Sequence, residues 1–318
     1  MKKTVIHRLK KAAAGLLLAF GALLILPAQA APKHPLVLVP GIFAFDSIGP
    51  LDYWFQIPST LQRRGVEVYV APINAFASST ERGEQLLAFL EDVQDASEGR
   101  IQRFNLIGHS QGGMTSRYVM YARPDLVASV TTVGTPHTGA PIADLITGVA
   151  PESSLQGLAF STVANAVGNL VNLMASGNPR DASDIYGMMS EFNQPGAAQF
   201  NAQFPAGLPT TRCGNGADRV TIDGHSIRLY SWGGARQLTH VLDPSDALFA
   251  ITGVLLKGEL NDGITGVCAN RFGRVINDRY RMNHIDLNNQ VFGLVSWFET
   301  NPKSLFVNHA QRLQQAGL

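Results

Sequence analysis

The stretch from Phe104 to Gly113 constrains this chain more than any other. Three apolar residues (Phe104, Leu106, Ile107) lead into Gly108-His109-Ser110-Gln111-Gly112, and helix-compatible residues run on from Met114 to Tyr121. A buried strand that ends, turns sharply and starts a helix leaves a serine projecting above the sheet, which is the pattern of a nucleophile elbow. Side chains at 108 and 112 would collide with neighbouring backbone in so tight a turn, hence the glycines. The pentapeptide alone arises by chance in roughly one chain in five of this composition. The flanking strand and helix are therefore what give it meaning.

Around this turn the N-terminal half alternates strand and helix signals. Strands are expected at Leu36–Val39, Val66–Val70, Phe104–Ile107 and Val127–Val133, and helices at Ile57–Arg64, Glu81–Val93 and Met114–Arg123. Such alternation predicts an α/β fold with a mostly parallel sheet and helices on both faces. Reactive groups in these sheets lie beyond the carboxyl ends of strands, where Gly41, Ser110 and Gly134 fall. Beyond residue 180 a strand is expected at Ser226–Ser231, loops at 214–224 and 258–266, a helix at Asn289–Glu299 and a polar helix at the C-terminus. Residues 153–179 carry no charge in 27 positions. Their periodicity, with a narrow stripe of Ser161, Asn165, Asn169, Asn172 and Ser176, reads as a core helix.

Residues 1–30 have the three parts of a cleaved signal peptide. Lys2, Lys3, Arg8, Lys10 and Lys11 are followed by an apolar core at Ala12–Leu26 and by Ala28-Gln29-Ala30, with cleavage expected after Ala30. Removing those five cations from 25 Lys+Arg leaves 20 against 24 Asp+Glu, so the mature chain 31–318 carries a formal charge of −4. With no basic run left, nucleic acid is excluded as a partner. The length suits a single α/β domain. Cys213 and Cys268 both lie in the exported part, and in an oxidising compartment they are expected to pair, stabilising the fold by roughly 4 kcal/mol in the chain-entropy model.

A serine hydroxyl needs a base and an acid that orients the base. In elbow-type hydrolases these follow in the order Ser, acid, His. His137 comes too soon after Ser110, His225 sits in an apparent hairpin turn, and His309 lies in a polar helix, which leaves His240 and His284. Asp243, Asp246, Asp262 and Asp278 are the candidate acids, with Asp262 of Asn261-Asp262-Gly263 slightly ahead of Asp243. Two backbone N–H groups must hold the oxyanion of an acyl-transfer intermediate. Gln111, after the nucleophile, and Ile42, in the Pro40-Gly41-Ile42-Phe43 turn after the first strand, are the candidates.

Several longer motifs sharpen these alternatives. Gly-His-Ser-Gln-Gly-Gly with Ser-Arg-Tyr-Val (116–119), Val-Gly-Thr-Pro-His-Thr-Gly (133–139), Leu-Asp-Pro-Ser-Asp (242–246), Asn-Asp-Gly (261–263) and Tyr-Arg-Met-Asn-His-Ile-Asp (280–286) resemble the foldase-dependent secreted bacterial triacylglycerol lipases of family I. The resemblance runs from about Pro35 to the C-terminus. It implies an α/β-hydrolase fold and a triad of Ser110, Asp262 and His284. It further implies one structural Ca²⁺ held by the carboxylates of Asp243 and Asp286 and the carbonyls of Gln290 and Leu294, oxygen ligands that suit the ion. A membrane-anchored foldase would assist folding in the periplasm, before secretion. The resemblance also places a mobile lid at about 153–177, in place of the core helix that periodicity suggests. One departure is Pro40 where the family usually has His. The expected activity is hydrolysis of long-chain acylglycerol esters at an oil–water interface. An esterase, phospholipase or polyester hydrolase with the same triad, or a lipid-binding protein without turnover, are the alternatives.

Overall fold

The structure, a computed structural model, describes residues 31–42, 52–74, 76–149, 165 and 179–318. The expected leader at 1–30, Phe43 of the oxyanion turn, and all but Asn165 of the expected lid lie outside the described residues.

The chain order begins β1 (Leu36–Val39), α1 (Ile57–Gln62), β2 (Val68–Val70), α2 (Ser79–Ala96), β3 (Phe104–His109), α3 (Gln111–Ala122), β4 (Val127–Val133) and α4 (Pro141–Ile146). It continues α5 (Pro179–Phe192), α6 (Gln194–Gln203), β5 (Arg219–Ile222), β6 (His225–Gly234), α7 (Ser245–Gly253), β7 (Arg274–Tyr280) and α8 (Pro302–Gln315). Among the described residues the strands form one seven-stranded sheet in the order β2-β1-β3-β4-β6-β5, with β7 also paired to β6. All pairings are parallel except the β5–β6 hairpin.

Strand β1 shows why the centre of the sheet is largely apolar. Its four residues are all fully buried, Val37 and Val39 on one face and Leu36 and Leu38 on the other. A strand covered on both sides loses the polar alternation that a half-exposed strand keeps. Leu86 and Leu90 of α2 and Val119 and Met120 of α3 cover the first face. Ile57 and Leu61 of α1 and Leu305, Phe306, Ala310 and Leu313 of α8 cover the second. The side chain of Ser78 caps α2 by accepting from the Glu81 N–H at 3.1 Å, a bond that replaces one of the unmade helix-terminal ones.

Four details depart from the sequence expectations. Residues 289–299 form turns, not a helix, because Asn289, Phe292 and Gly293 all take positive φ (61°, 49° and 74°). Their apolar side chains are not gathered on a buried face either: Trp297 and Phe298 are 77% and 79% exposed. The loop expected at 214–224 contains β5, and β7 was hidden by its polar residues (Arg274, Asn277, Asp278, Arg279). The C-terminal helix is amphipathic, and its His309 is fully buried against the Thr131 hydroxyl at 2.8 Å.

Candidate active site

Ser110 sits between β3 and α3 with φ 55° and ψ −124°, a backbone strain that lifts its side chain off the sheet. The turn is held from both sides. Ser110 N–H donates to the Val133 carbonyl at 2.8 Å, and the Ser110 carbonyl accepts from the Thr135 hydroxyl at 2.9 Å. A Cβ at position 108 would lie 2.2 Å from the Gly112 carbonyl oxygen, and one at 112 would lie 2.1 Å from that of Val39. Both neighbours are backbone, so only glycine fits this close approach.

The structure brings three predicted side chains together. His284 Nε2 lies 2.9 Å from Ser110 Oγ, and His284 Nδ1 lies 2.8 Å from Asp262 Oδ2. The other Asp262 oxygen, Oδ1, accepts the N–H groups of Ile264 (3.0 Å) and Thr265 (2.7 Å), which fixes the carboxylate plane. The two loops are also tied directly, through His284 N–H donating to the Asp262 carbonyl at 2.9 Å. All three residues are buried.

Ile42 and Gln111 line the same cavity as Ser110 and His284, a slot of about 30 Å³ walled by Pro136, Ile142, Met189, Phe192 and Ile264. Gln111 begins α3, so its N–H is one of the groups a helix leaves unpaired at its start. The Pro40–Gly41 turn is braced from behind by Arg82, a fully buried guanidinium that donates to the carbonyls of Pro40 and Asn74. Burial lowers its pKa to about 10, which still leaves it charged. Because the brace grips a backbone carbonyl, it does not depend on which residue stands at position 40. Arg82 and Tyr53 escaped the sequence reading, and His109, though part of the elbow motif, received no role there: the contacts of all three form only in the tertiary structure.

His240 and Asp243, the competing base and acid, belong to a separate cluster. The His240 ring packs edge-on against Trp297. Asp243, Asp246 and Asp286 are buried together, and none forms an ion pair with Lys or Arg among the described residues. Asp246 is saturated, accepting from the N–H groups of Thr239 and His240, the Thr239 hydroxyl and the Asn283 amide. Burial first, and then the adjacent carboxylates, push the Asp286 carboxyl well above its ordinary range and raise Asp243 as well. Asn283, next to His284, joins this cluster to the base: its side chain reaches Asp243 Oδ2 at 3.4 Å, and its N–H donates to Asp286 Oδ2 at 3.1 Å. Cys213 and Cys268 form a disulfide with Cα atoms 4.4 Å apart.

A family model described as the alpha/beta hydrolase fold matches residues 34–213. A triacylglycerol lipase of Vibrio cholerae is 43% identical over 286 residues, covering 90% of this chain and 89% of that protein. This chain belongs to the bacterial triacylglycerol lipases. A triacylglycerol lipase of Burkholderia plantarii shares 35% identity with the lipase described here, across 91% of this chain and 88% of its own length. Among solved structures, the lipase of Staphylococcus hyicus superposes with a TM-score of 0.59 at 17% identity, covering 91% of this chain and 98% of that one, and so shares its fold. The lipase is accordingly an enzyme of the α/β-hydrolase fold, and the reading as a binding protein without turnover falls away.

Proposed function

We propose that this lipase is exported and hydrolyses long-chain acylglycerol esters at an oil–water interface, through an acyl-enzyme on Ser110. The Ser110–His284–Asp262 chain of contacts at 2.9 and 2.8 Å carries the reading. His284 Nε2 takes the hydroxyl proton as Ser110 Oγ attacks the ester carbonyl, then gives it to the departing glyceride oxygen. Asp262 holds Nδ1–H and steadies the imidazolium. The N–H groups of Ile42 and Gln111 stabilise the tetrahedral oxyanion. Water, activated by His284, then attacks the acyl-enzyme and releases the fatty acid. The apolar walls of the slot (Ile142, Met189, Phe192, Ile264) suit an acyl chain.

Export rests on the leader pattern of residues 1–30, and the foldase on kinship alone. Interfacial action is supported by large apolar side chains left in solvent on two neighbouring loops: Val241 and Leu242, Trp297 and Phe298. The His240–Trp297 ring contact, with centroids 5.0 Å apart, joins these loops. Apolar and aromatic side chains of this kind partition into a lipid boundary. Activity is expected to rise when a short-chain triglyceride passes from monomers to droplets. The double variant W297S/F298S is expected to lose about 10-fold on droplets while keeping its rate on monomeric p-nitrophenyl butyrate. Equal losses on both substrates would count against the interfacial role.

Two buried carboxylates, Asp243 and Asp286, that form no ion pair with Lys or Arg among the described residues support a calcium ion there. No three acidic, His or Cys side chains among the described residues are placed to ligate one ion jointly, so such a site would draw on backbone oxygens as well. Asp243 and Asp286, with the carbonyls of Gln290 and Leu294, would hold the ion, and Asp246 would organise them. Calcium there would neutralise buried like charges and pin the loop carrying His284. Chelation is then expected to lower Tm, by on the order of 5 °C or more, and to lower kcat with it. A melting curve indifferent to EGTA would remove calcium from the account.

A further inference from the structure

Two buried side chains beside the triad have no part in the steps above. His109, the residue before the nucleophile, and Tyr53, from the segment before α1, are 0% and 8% exposed. His109 Nε2 lies 2.9 Å from the carbonyl oxygen of His284, and His109 Nδ1 lies 2.6 Å from the Tyr53 hydroxyl. That hydroxyl accepts the Gly41 N–H at 2.7 Å.

The proton positions in this chain follow from its ends. A carbonyl can only accept, so His109 Nε2 carries a hydrogen. Burial, reinforced by the neighbouring His284, holds the His109 pKa well below its ordinary value. The ring is therefore neutral and Nδ1 is an acceptor. Tyr53 must donate to it, and burial raises the Tyr53 pKa, so the hydroxyl keeps its proton. Its oxygen then accepts from Gly41. One direction satisfies every member, Gly41 N–H to Tyr53 to His109 to His284 C=O.

We infer that Tyr53 and His109 are positioning residues that lock the oxyanion turn at Gly41–Ile42 to the backbone of the base, so that the donor and His284 keep one fixed geometry about Ser110. This rests on the triad reading above. The linkage is tight at both ends. A Cβ on Gly41 would fall 2.7 Å from Ser110 Cβ and 2.9 Å from the Tyr53 oxygen, so the turn is pressed against nucleophile and tyrosine together. At the other end the Tyr53 carbonyl accepts from the Asn288 amide at 2.9 Å, and the Phe55 carbonyl from the Asn289 amide at 2.7 Å, both on the segment following His284. Neutrality of His109 has a further consequence. Its ring centroid is 4.8 Å from that of His284, and a neutral neighbour adds no like charge beside the imidazolium that forms during attack.

The test is Tyr53→Phe, which keeps the ring and removes only the hydroxyl. Active sites are first counted with a fluorophosphonate, which must label the wild-type enzyme at Ser110. Per labelled site, kcat on monomeric p-nitrophenyl butyrate is expected to fall about 10- to 100-fold with KM within 2-fold, since a displaced donor costs less than an absent one. The Ki of an alkyl boronic acid, which mimics the tetrahedral adduct, should rise by the same factor. His109→Leu should behave likewise, and His109→Gln, which retains an N–H donor, should recover part of the loss. Lower Tm with unchanged kcat and Ki per site would overturn the inference, as would equal activity of the Gln and Leu variants. A wild-type enzyme that does not label at Ser110 would instead overturn the triad reading, and the linkage with it.

Discussion

Replacing Ser110 by alanine is expected to lower kcat by at least about 10⁴-fold while the protein stays folded. The hydroxyl meets His284 Nε2, whereas the backbone of residue 110 makes the bonds that hold the turn. Removing one oxygen from a buried site leaves an imidazole nitrogen without its partner, at a cost of about 1–3 kcal/mol. Activity should vanish far beyond what such a loss of stability explains, and fluorophosphonate labelling should vanish with it. The measurement is single-turnover acylation of the purified variant beside its melting curve. Turnover within 100-fold of wild type would show that another group performs the attack.

Asp262→Asn is expected to cost nearly as much, about 10⁴-fold in kcat, with little change in stability. The reason lies in the two N–H groups that grip Asp262 Oδ1, from Ile264 at 3.0 Å and Thr265 at 2.7 Å. Both are donors, so the oxygen of an asparagine must remain there and its NH₂ is forced toward His284 Nδ1. A donor facing Nδ1 makes that nitrogen the acceptor and shifts the imidazole hydrogen to Nε2. The Nε2 facing Ser110 then has no lone pair with which to take the hydroxyl proton. Geometry would be preserved and chemistry lost, which a kcat collapse at unchanged Tm and KM would register. A loss below 10-fold would mean that Asp262 does not fix the tautomer.

The elbow was legible because each of its requirements is local. A tight turn excludes Cβ atoms at 108 and 112, and the structure supplies the backbone oxygens that they would strike. Strands β1, β3 and β4 were legible because burial on both faces keeps their residues mostly apolar or β-branched, as in Leu36–Val39 and Val127–Val133. β7 was not, since Arg274, Asn277, Asp278 and Arg279 interrupt any apolar run and most of the strand is only partly buried. Helix 289–299 failed for the opposite reason. Its apolar content suggested a buried face, yet Asn289, Phe292 and Gly293 adopt left-handed backbone and Trp297 and Phe298 face solvent. Hydrophobicity marked an exposed surface there, not a core.

Chain order and short-range sterics thus determined the class of fold and the nucleophile. Kinship of motif narrowed the base from His240 or His284 and the acid from Asp243 or Asp262. Only the tertiary structure decided which of these stand within hydrogen-bond reach of Ser110, because residues 110, 262 and 284 meet through loops whose separation along the chain carries no distance information. Tyr53, Arg82 and His109 show the same limit: each holds the oxyanion turn or its partner from a distant segment. A hydrogen bond across 175 positions leaves no trace in local pattern, and it exists only once the sheet has brought its two ends together.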